Sequence, residues 1–329
     1  MKKFIVSDLH GCSDIYVSLI TYLENLSLVT KEKVHLYING DLIDRGLDSY
    51  KMLIDVMNRC KNNDNLIVHY IAGNHEQLMF ESCIDKLKCG HFNVDSWDLN
   101  GSYATKNGIS QMEYGEFIDL INFIGNLDVY QKFPERVGKD NILLVHAAAP
   151  RVVLNRCDLK LSSNTEMVND AMWSRLGRSG CKTLGKQGYF TIVGHTPNCG
   201  KHGFTFDPNN KVLNIDSGCG KYANGAFEFD KVPVVEVLDG YLKVLVFNHD
   251  NEIVEGFYIK NSIKKMPEKE VDRNNLLLDH SLNNCGKMFR KRVLNTYKQQ
   301  DIDVKIFDSS KSTNNVCEED DSDMKIYRR

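Results

Sequence analysis

Five short segments of the sequence carry side chains that commonly bind metal ions or transfer protons. They are DLH (8–10), GDLIDRG (40–46), GNHE (73–76), VH (145–146) and GHTP (194–197). A single Asp-x-His pair is usually a surface polar pair, and a single buried histidine is usually hydrogen-bonded in the core. Because all five segments follow short apolar runs, they instead indicate one metal site assembled from several loops.

The residue types fit two divalent metal ions about 3.5–4 Å apart. Asp8 and His10 lie two residues apart on an extended chain, so they face the same side and can bind one ion together. Asp41 can bridge the two ions because its carboxylate has two oxygens. Three further side chains can complete the ligands of the second ion: Asn74, His146 and His195. Carboxylate, imidazole and amide groups suit Mn²⁺, Fe²⁺ or Zn²⁺ better than ions that prefer thiolates.

The apolar runs that precede these segments are rich in β-branched residues and predict buried strands. Runs at 4–6, 34–38 and 66–71 are separated by stretches with helical periodicity, in which apolar residues recur every three or four positions. Alternating strands and helices predict a parallel sheet with right-handed crossovers. Ligands of such sheets gather beyond the carboxyl ends of the strands, where the candidate metal ligands lie.

The later part of the chain predicts a second sheet. Three more apolar runs end at His146, His195 and Asp216. Three strand-like runs between 232 and 259, the first two joined by an Asp-Gly turn, predict an antiparallel meander that completes this second sheet. Residues 77–140 contain further helical segments, and the sequence leaves open whether they line a substrate groove or only pack.

A change in composition near residue 260 predicts a catalytic domain over 1–260 and a polar extension over 261–329. The extension contains a basic stretch at 287–298 and an acidic one at 318–321. We expect it to be partly helical with a mobile end. It is either a solvated appendage or a region that binds a protein partner.

Composition excludes several classes of protein. The 329 residues contain 41 Lys and Arg against 44 Asp and Glu, a net charge of −3, which excludes a basic footprint for nucleic acid over the whole chain. No apolar run is long enough to span a membrane, and the amino-terminal residues do not form a signal peptide. Ten cysteines without a CxxC pair are typical of reduced thiols, so we expect a cytoplasmic protein.

The motifs DLHG, GDLIDRG, GNHE, VHAAAP and GHTP, in this order over residues 8–197, resemble the phosphoprotein phosphatase branch of the calcineurin-like metallophosphoesterases. The resemblance implies an α/β fold with two packed mixed β-sheets flanked by helices (α/β/β/α). It implies a first metal bound by Asp8, His10 and Asp41, and a second that shares Asp41. The cofactor it implies is two divalent ions, with Mn²⁺ first and Fe²⁺ or Zn²⁺ as alternatives.

The same resemblance implies roles for the remaining motif residues. His75 is similar to the family's general acid, Asp44 to the carboxylate that orients it, and Arg45 to an arginine that clamps phosphate. The Trp-x-Arg sequence at 173–175 gives Arg175 as a second clamp. Asp216 is either a carboxylate behind a ligand histidine or a turn residue.

Together these residues imply phosphoryl transfer to water. Two metal ions lower the pKa of a bridging water, so that hydroxide can attack phosphorus in line at neutral pH. The ions and the two arginines offset the charge of the phosphate oxygens, and His75 protonates the leaving group. No phosphoenzyme intermediate is required.

Departures from related motifs favour a phosphatase that acts on phosphoserine and phosphothreonine in proteins, and the sequence leaves open whether phosphotyrosine is a substrate as well. Thr196 and Pro197 follow Gly-His, where phosphodiesterases and nucleases of the superfamily typically have Gly-His-x-His. Segments 97–101 and 214–218 resemble those of bacterial and bacteriophage phosphoprotein phosphatases. One alternative is a dinucleoside polyphosphate hydrolase, although relatives of that kind often lack Asp44 and have GNHD. The other is a silent scaffold that binds partners, although such a chain would be expected to have lost a site residue.

Overall fold

The computed structural model describes most of the first 282 residues. The described residues are 1–62, 65–93, 95–148, 159–163, 166–175, 185–198, 200–220, 231–248, 250 and 252–282. The chain divides into two units, Met1–Gly286 and Lys287–Arg329, and every described residue belongs to the first. The basic and acidic stretches of the extension, and its predicted mobile end, lie outside the described residues, as do Ala149 and Pro150 of the VHAAAP motif.

Twelve strands and eight α-helices occur in the described part of the chain. The strands are Lys2–Val6 (β1), Val34–Asn39 (β2), Leu66–Ile71 (β3), Tyr130–Val137 (β4), Asp140–Val145 (β5), Tyr189–Val193 (β6), Thr205–Asp207 (β7), Val212–Asn214 (β8), Val232–Leu238 (β9), Tyr241–Phe247 (β10), Ile253–Ile259 (β11) and Ile263–Lys265 (β12). The helices are Ser13–Thr30 (α1), Ser49–Lys61 (α2), Asn74–Cys89 (α3), Asp95–Leu99 (α4), Tyr103–Ser110 (α5), Tyr114–Gly125 (α6), Glu166–Trp173 (α7) and Glu268–Leu282 (α8). None of these helices is long and apolar enough to cross a membrane.

The strands form two mixed sheets, which confirms the predicted fold class. The first sheet has the order β12-β11-β10-β9-β1-β2-β3, and the second has the order β4-β5-β6-β8-β7. As predicted, β1, β2 and β3 are parallel, with Phe4 opposite Leu36 and Leu36 opposite Val68. Strands β5, β6 and β8 are also parallel, so each sheet presents a set of carboxyl ends at one edge.

The predicted antiparallel meander forms, but the prediction that it belongs to the second sheet is wrong. Strands β9, β10 and β11 extend the first sheet, because β9 pairs antiparallel with β1, Ile5 lying opposite Val235. The crossover through α1 places β2 on one side of β1 and leaves the other edge of β1 free to pair. The predicted turn at Asp239-Gly240 does join β9 to β10, and Gly240 has a φ of 91° there.

Alternate residues of the central strands pack into two different cores. In β1, Phe4 and Val6 pack with the residues of α1, while Ile5 packs with residues of the second sheet. In β5, Leu144 belongs to the core between the sheets and Val145 to the core beneath the helices. Because the strands are buried on both faces, the two sheets pack against each other and helices cover their outer faces. This is the predicted α/β/β/α order of layers.

Residues beyond the predicted domain boundary at 260 pack against the catalytic fold. Strand β12 pairs with β11, Tyr258 lying opposite Lys264. On α8, the side chain of Asn275 accepts the N–H of Ile253 at 2.8 Å and donates to its carbonyl at 2.9 Å. Asn274 accepts a hydrogen bond from the Tyr22 hydroxyl of α1 at 2.9 Å. The described start of the extension is therefore bonded to both β11 and α1.

One buried carboxylate ties together the loops that follow β2 and β3. Glu76, the third residue of α3, caps its own helix by accepting the N–H of Gly73 at 2.8 Å. It also accepts the N–H groups of Asp41 at 2.8 Å and Leu42 at 3.1 Å, and the Tyr70 hydroxyl at 2.6 Å. The two loops touch so closely that a Cβ on Gly73 would lie 2.4 Å from a carboxylate oxygen of Asp41. This contact fixes Asp41 relative to α3.

We predict that Glu76→Gln lowers the stability of the protein by about 2–3 kcal/mol, because the new amide NH₂ would face backbone N–H donors in a fully buried position. The matched control is Glu81→Gln, the same substitution on the same helix at a half-buried position, which should change stability by less than about 0.5 kcal/mol. Urea unfolding followed by far-UV circular dichroism measures both. Equal unfolding midpoints for the two variants would contradict the role given to Glu76.

Candidate metal centre

Backbone strain is concentrated in the loops that carry the candidate site. Eight non-glycine residues in the described part of the chain have a left-handed backbone, and six of them are site residues proposed from the sequence. The six, with φ between 43° and 70°, are Asp8, His10, Asp41, Asp44, Arg45 and His195. Each such residue costs on the order of 1–3 kcal/mol and persists only where the surrounding structure holds it. The concentration therefore indicates that these loops serve function rather than packing.

Four side chains converge on one point at the edge where the two sheets meet. The amide oxygen Oδ1 of Asn74 lies 2.9 Å from Nδ1 of His195 and 3.0 Å from Nε2 of His146. The same Nε2 lies 3.3 Å from Oδ1 of Asp41. The four residues follow β3, β6, β5 and β2, so the structure brings together all the side chains proposed for the second metal ion.

The chemistry of this group fits a bound cation. Nδ1 of His146 lies 2.9 Å from the carbonyl oxygen of Asn39 and so carries a proton. In the neutral ring, Nε2 would then direct a lone pair at two oxygens, those of Asn74 and Asp41. Burial alone would lower the pKa of His146, but the Asp41 carboxylate raises it to about 10, which puts a second proton between these atoms. A divalent metal ion would replace that proton, since metals and protons compete for the same lone pairs.

A second group surrounds the other oxygen of Asp41. Oδ2 of Asp41 lies 3.5 Å from Nε2 of His10 and 3.8 Å from Nε2 of His75. Nδ1 of His10 lies 2.9 Å from the carbonyl oxygen of Ile43, which leaves its Nε2 as the ring atom that could bind a metal ion. Burial, together with the charges of His75 and Arg45, lowers the pKa of His10 well below its usual value. The ring is therefore in the neutral form that binds metals.

Asp41 is shared by the two groups, as a bridging ligand would be. Its ligand atoms lie within 4.8 Å of those of His10 and His75 in one group, and of His146 and His195 in the other. Burial would raise the pKa of Asp41, but the charges of His146 and His75 hold it well below its usual range. The carboxylate is therefore ionised, with one oxygen facing each group.

Asp8 lies beside these groups without belonging to either of the two clusters of three residues. Its carboxylate accepts the backbone N–H of His195 at 3.0 Å and a hydrogen bond from the Ser7 hydroxyl. Burial, and next the charge of Asp216, raise the pKa of Asp8 well above its usual value. Two buried carboxylates close together favour the binding of a nearby cation. The ligand role of Asp8 is consistent with these surroundings and stays a prediction.

His75 and Asp44 form a buried pair next to Asp41. Nδ1 of His75 lies 2.8 Å from Oδ2 of Asp44, and both side chains are fully buried. Burial would lower the pKa of His75, but the charges of Asp41 and Asp44 raise it. The guanidinium of Arg45 spans the first group, with one nitrogen 2.9 Å from Nε2 of His10 and the other 3.0 Å from Nε2 of His75.

Arg175 lies near the second group and is exposed. Burial lowers the pKa of His195 to about 3, and the charges of His146 and Arg175 act in the same direction. The ring of Trp173 meets that of His195 edge-on at 6.3 Å, so the Trp-x-Arg segment borders this side of the site. Arg45 therefore lies at the group that contains His10 and His75, whereas Arg175 lies near His195 of the other group.

Asp216 is buried, and Gly218 donates its backbone N–H to the Asp216 carboxylate at 2.9 Å. This is the contact of a turn residue. Burial raises the pKa of Asp216 to about 6. Its predicted action on a ligand histidine stays a prediction.

Several residues that shape the site carry no role in the sequence analysis. Glu76 belongs to the GNHE motif, which indicates that it lies near the site. The motif does not predict its hydrogen bonds to the Asp41 loop. The Asp44 carboxylate also accepts hydrogen bonds from Trp97, which lies in the recognised segment 97–101, and from Thr105, which no sequence motif contains. Both residues come from the 77–140 region whose role was open.

Comparisons with known proteins identify the family of the chain. Residues 1–215 match the model of the calcineurin-like phosphoesterase family. The chain belongs to this family. The resemblance inferred from the motifs is confirmed at this level, and members of the family typically depend on two metal ions. No curated protein sequence matches the chain.

Solved structures with a similar fold include phosphatases. A cold-active protein tyrosine phosphatase is 16% identical, with a TM-score of 0.50, and the match covers 82% of this chain and 80% of that one. The cold-active protein-tyrosine phosphatase of a psychrophilic Shewanella species is 15% identical (TM-score 0.49; 81% and 80% covered). A protein serine/threonine phosphatase from Saccharomyces cerevisiae is 14% identical (TM-score 0.47; 75% and 79% covered). At such identities the likeness concerns the fold alone.

We predict that Asp41→Asn reduces the bound metal from two divalent ions per chain to one or fewer, because one carboxylate serves both groups. The protein would be stripped with chelator, reloaded with Mn²⁺, dialysed and analysed by mass spectrometry of the metals. Asp207→Asn, the same substitution at the exposed end of β7, should retain two ions and controls for nonspecific loss. Two ions per chain in Asp41→Asn would exclude the bridging role.

Proposed function

We propose that this chain is a two-metal phosphomonoesterase that removes phosphate from phosphoserine and phosphothreonine in proteins, with phosphotyrosine as a further substrate. The observation that carries the proposal is Asp41, whose two oxygens face two different groups of buried ligands, beside the His75–Asp44 pair. Paired metal groups next to a protonatable histidine suit the hydrolysis of a phosphate ester.

We assign the metal ligands as the sequence suggested. Asp8, His10 and Asp41 would hold one ion, and Asp41 would share the other with the remaining ligands: Asn74, His146 and His195. The mixture of carboxylate, imidazole and amide donors favours Mn²⁺, with Fe²⁺ or Zn²⁺ as alternatives. When bound, the ions would supply an activated water molecule and positive charge against the phosphate.

His75 is the proposed general acid. Because Nδ1 of His75 is engaged by Asp44, Nε2 is the atom that would hold the proton needed by a leaving alkoxide. The raised pKa of His75 favours the protonated ring, in which Nε2 carries that proton once the Arg45 guanidinium, which donates to Nε2 in this structure, turns to a phosphate. The Arg45 nitrogen beside Nε2 places a phosphate clamp next to the acid, and the planar fork of arginine matches two phosphate oxygens.

The surroundings of Arg45 support a peptide rather than a nucleotide as the substrate. Leu47, two residues after Arg45, is 83% exposed, and Leu99 is 87% exposed. The segment that carries Leu99 lies against Arg45, since Gly101 accepts the backbone N–H of Arg45 at 2.8 Å. Tyr103 on α5 is exposed as well. Large apolar side chains exposed beside a phosphate clamp suit contact with the side chains that flank a phosphorylated residue.

The proposal predicts metal-dependent phosphate release from phosphopeptides. Protein stripped with chelator and restored with Mn²⁺ would be assayed on phosphoserine, phosphothreonine and phosphotyrosine peptides, p-nitrophenyl phosphate and diadenosine tetraphosphate. We expect release from the phosphopeptides that returns with Mn²⁺ and is lost in Asp41→Asn. Cleavage of the dinucleotide alone would identify a polyphosphate hydrolase, and no turnover with two ions bound would favour a silent scaffold.

The acid role makes a separate prediction. His75→Asn should lower kcat on a phosphoserine peptide about 10²–10⁴-fold, because a serine alkoxide leaves poorly without a proton. The loss on p-nitrophenyl phosphate should be much smaller, since nitrophenolate needs no proton to leave. His91→Asn, at an exposed position, is the matched control and should resemble the unmodified protein. An equal loss on both substrates would contradict the acid role.

A further inference from the structure

Three donors from three separate parts of the chain converge on the buried carboxylate of Asp44. His75 of α3 and Trp97 of α4 both donate to Oδ2, from Nδ1 and Nε1 respectively, each at 2.8 Å. Thr105 of α5 donates its hydroxyl to Oδ1 at 2.7 Å. All four side chains are fully buried. The proposed acid pair is therefore part of a larger hydrogen-bonded group.

The Thr105 hydroxyl binds Asp44 twice. It donates to the carboxylate and accepts the backbone N–H of Asp44 at 3.2 Å. Asp44 has a left-handed backbone with a φ of 70°, a conformation that needs support from its surroundings. One hydroxyl thus holds both the backbone and the side chain of this residue.

The Trp97 side chain supplies its N–H from a packed position. The indole is fully buried, and the ring of Phe92 meets it edge-on at 5.8 Å. With the ring held on that side, the N–H is directed at Asp44. The same segment also holds the neighbouring clamp, because Gly101 accepts the backbone N–H of Arg45.

We propose that Trp97 and Thr105 are positioning residues for the acid pair. A carboxylate can rotate about its bond to Cβ, and a rotated Asp44 would no longer present Oδ2 to Nδ1 of His75. Donors on both oxygens hold the plane of the carboxylate, and the carboxylate in turn holds the imidazole with Nε2 towards Arg45. The inference rests on the proposed function only in its assignment of His75 as the acid.

Packing alone does not account for this arrangement. Valine has nearly the volume of threonine, and phenylalanine fills much of the space of tryptophan, but neither donates a hydrogen bond. Replacing a donor by an apolar group beside a buried carboxylate removes a partner that burial makes necessary. The hydroxyl and the indole N–H are therefore the groups that the site requires, beyond the shape of the side chains.

The test compares Thr105→Val with Thr105→Ser in the Mn²⁺-loaded enzyme. We expect Thr105→Val to lower kcat on a phosphoserine peptide about 10-fold, part of the full acid contribution, with KM changed less than about 2-fold. On p-nitrophenyl phosphate kcat should fall less than about 3-fold. Thr105→Ser, which keeps the hydroxyl, should restore most of the turnover, and Trp97→Phe should resemble Thr105→Val.

Two controls separate positioning from general damage. Thr191→Val removes a buried hydroxyl that has no hydrogen-bond partner among the described residues, so it should leave kcat unchanged on both substrates. In an Asp44→Asn background, Thr105→Val should add no further loss, since both changes act through one carboxylate. Equal fractional losses on the two substrates, or additive losses with Asp44→Asn, would overturn the proposal.

Nuclear magnetic resonance of the His75 ring decides the matter even if no phosphate ester is hydrolysed. We expect the nitrogen and proton signals of Nδ1–H to shift in Thr105→Val and to return towards the original position in Thr105→Ser. Identical His75 signals in all three proteins would overturn the positioning role. Absence of turnover with shifted signals would instead count against the proposed function alone.

Discussion

The hydrogen bonds between Glu76 and the loop of Asp41 are the contacts on which the proposed metal centre depends. Glu76 belongs to α3, yet it accepts backbone N–H groups from the loops after both β2 and β3. Asp41 faces two groups of ligands, and a shift of this loop would move one oxygen away from each. His75 lies next to Glu76 on the same helix and donates its backbone N–H to Asp41 at 3.1 Å. The proposed bridging carboxylate and the proposed acid are therefore held by one short stretch of helix.

The strained backbone of the site relies on the rigidity of the two sheets. Left-handed residues directly follow β1, β2 and β6, whose side chains are buried on both faces. Strands of this kind cannot relax without opening a core, so they can hold loops in unfavourable conformations. The charge of the site imposes a second cost, because the buried carboxylates of Asp8 and Asp41 repel each other and the nearby ring of His10 is neutral. Bound cations would relieve this cost, which links metal binding to the stability of the fold.

The sequence predicted those parts of the fold and site that depend on local pattern. Apolar runs that end in ligand-type residues located the strand ends, and the order of the motifs identified the family. Pairing of β9 with β1 was not predictable, because both sheets contained apolar strands with a free edge and periodicity does not distinguish between them. Thr105 lies 61 residues from Asp44, and no spacing rule connects residues so far apart. The contact of Asp8 with His195 likewise depends on how the two sheets meet, which is a property of packing.

The short segment formed by α4 and α5 has two faces with different partners. Trp97 and Thr105 point inwards to Asp44, whereas Leu99 and Tyr103 are exposed to solvent. Substitutions on the outer face alter no bond to the acid pair, so they are free to accumulate. Through such changes a descendant of this protein could acquire a new preference for the residues around its target while keeping the reaction itself intact. The residues that support the reaction would then stay the same while those that contact the target change, within one stretch of fewer than twenty residues.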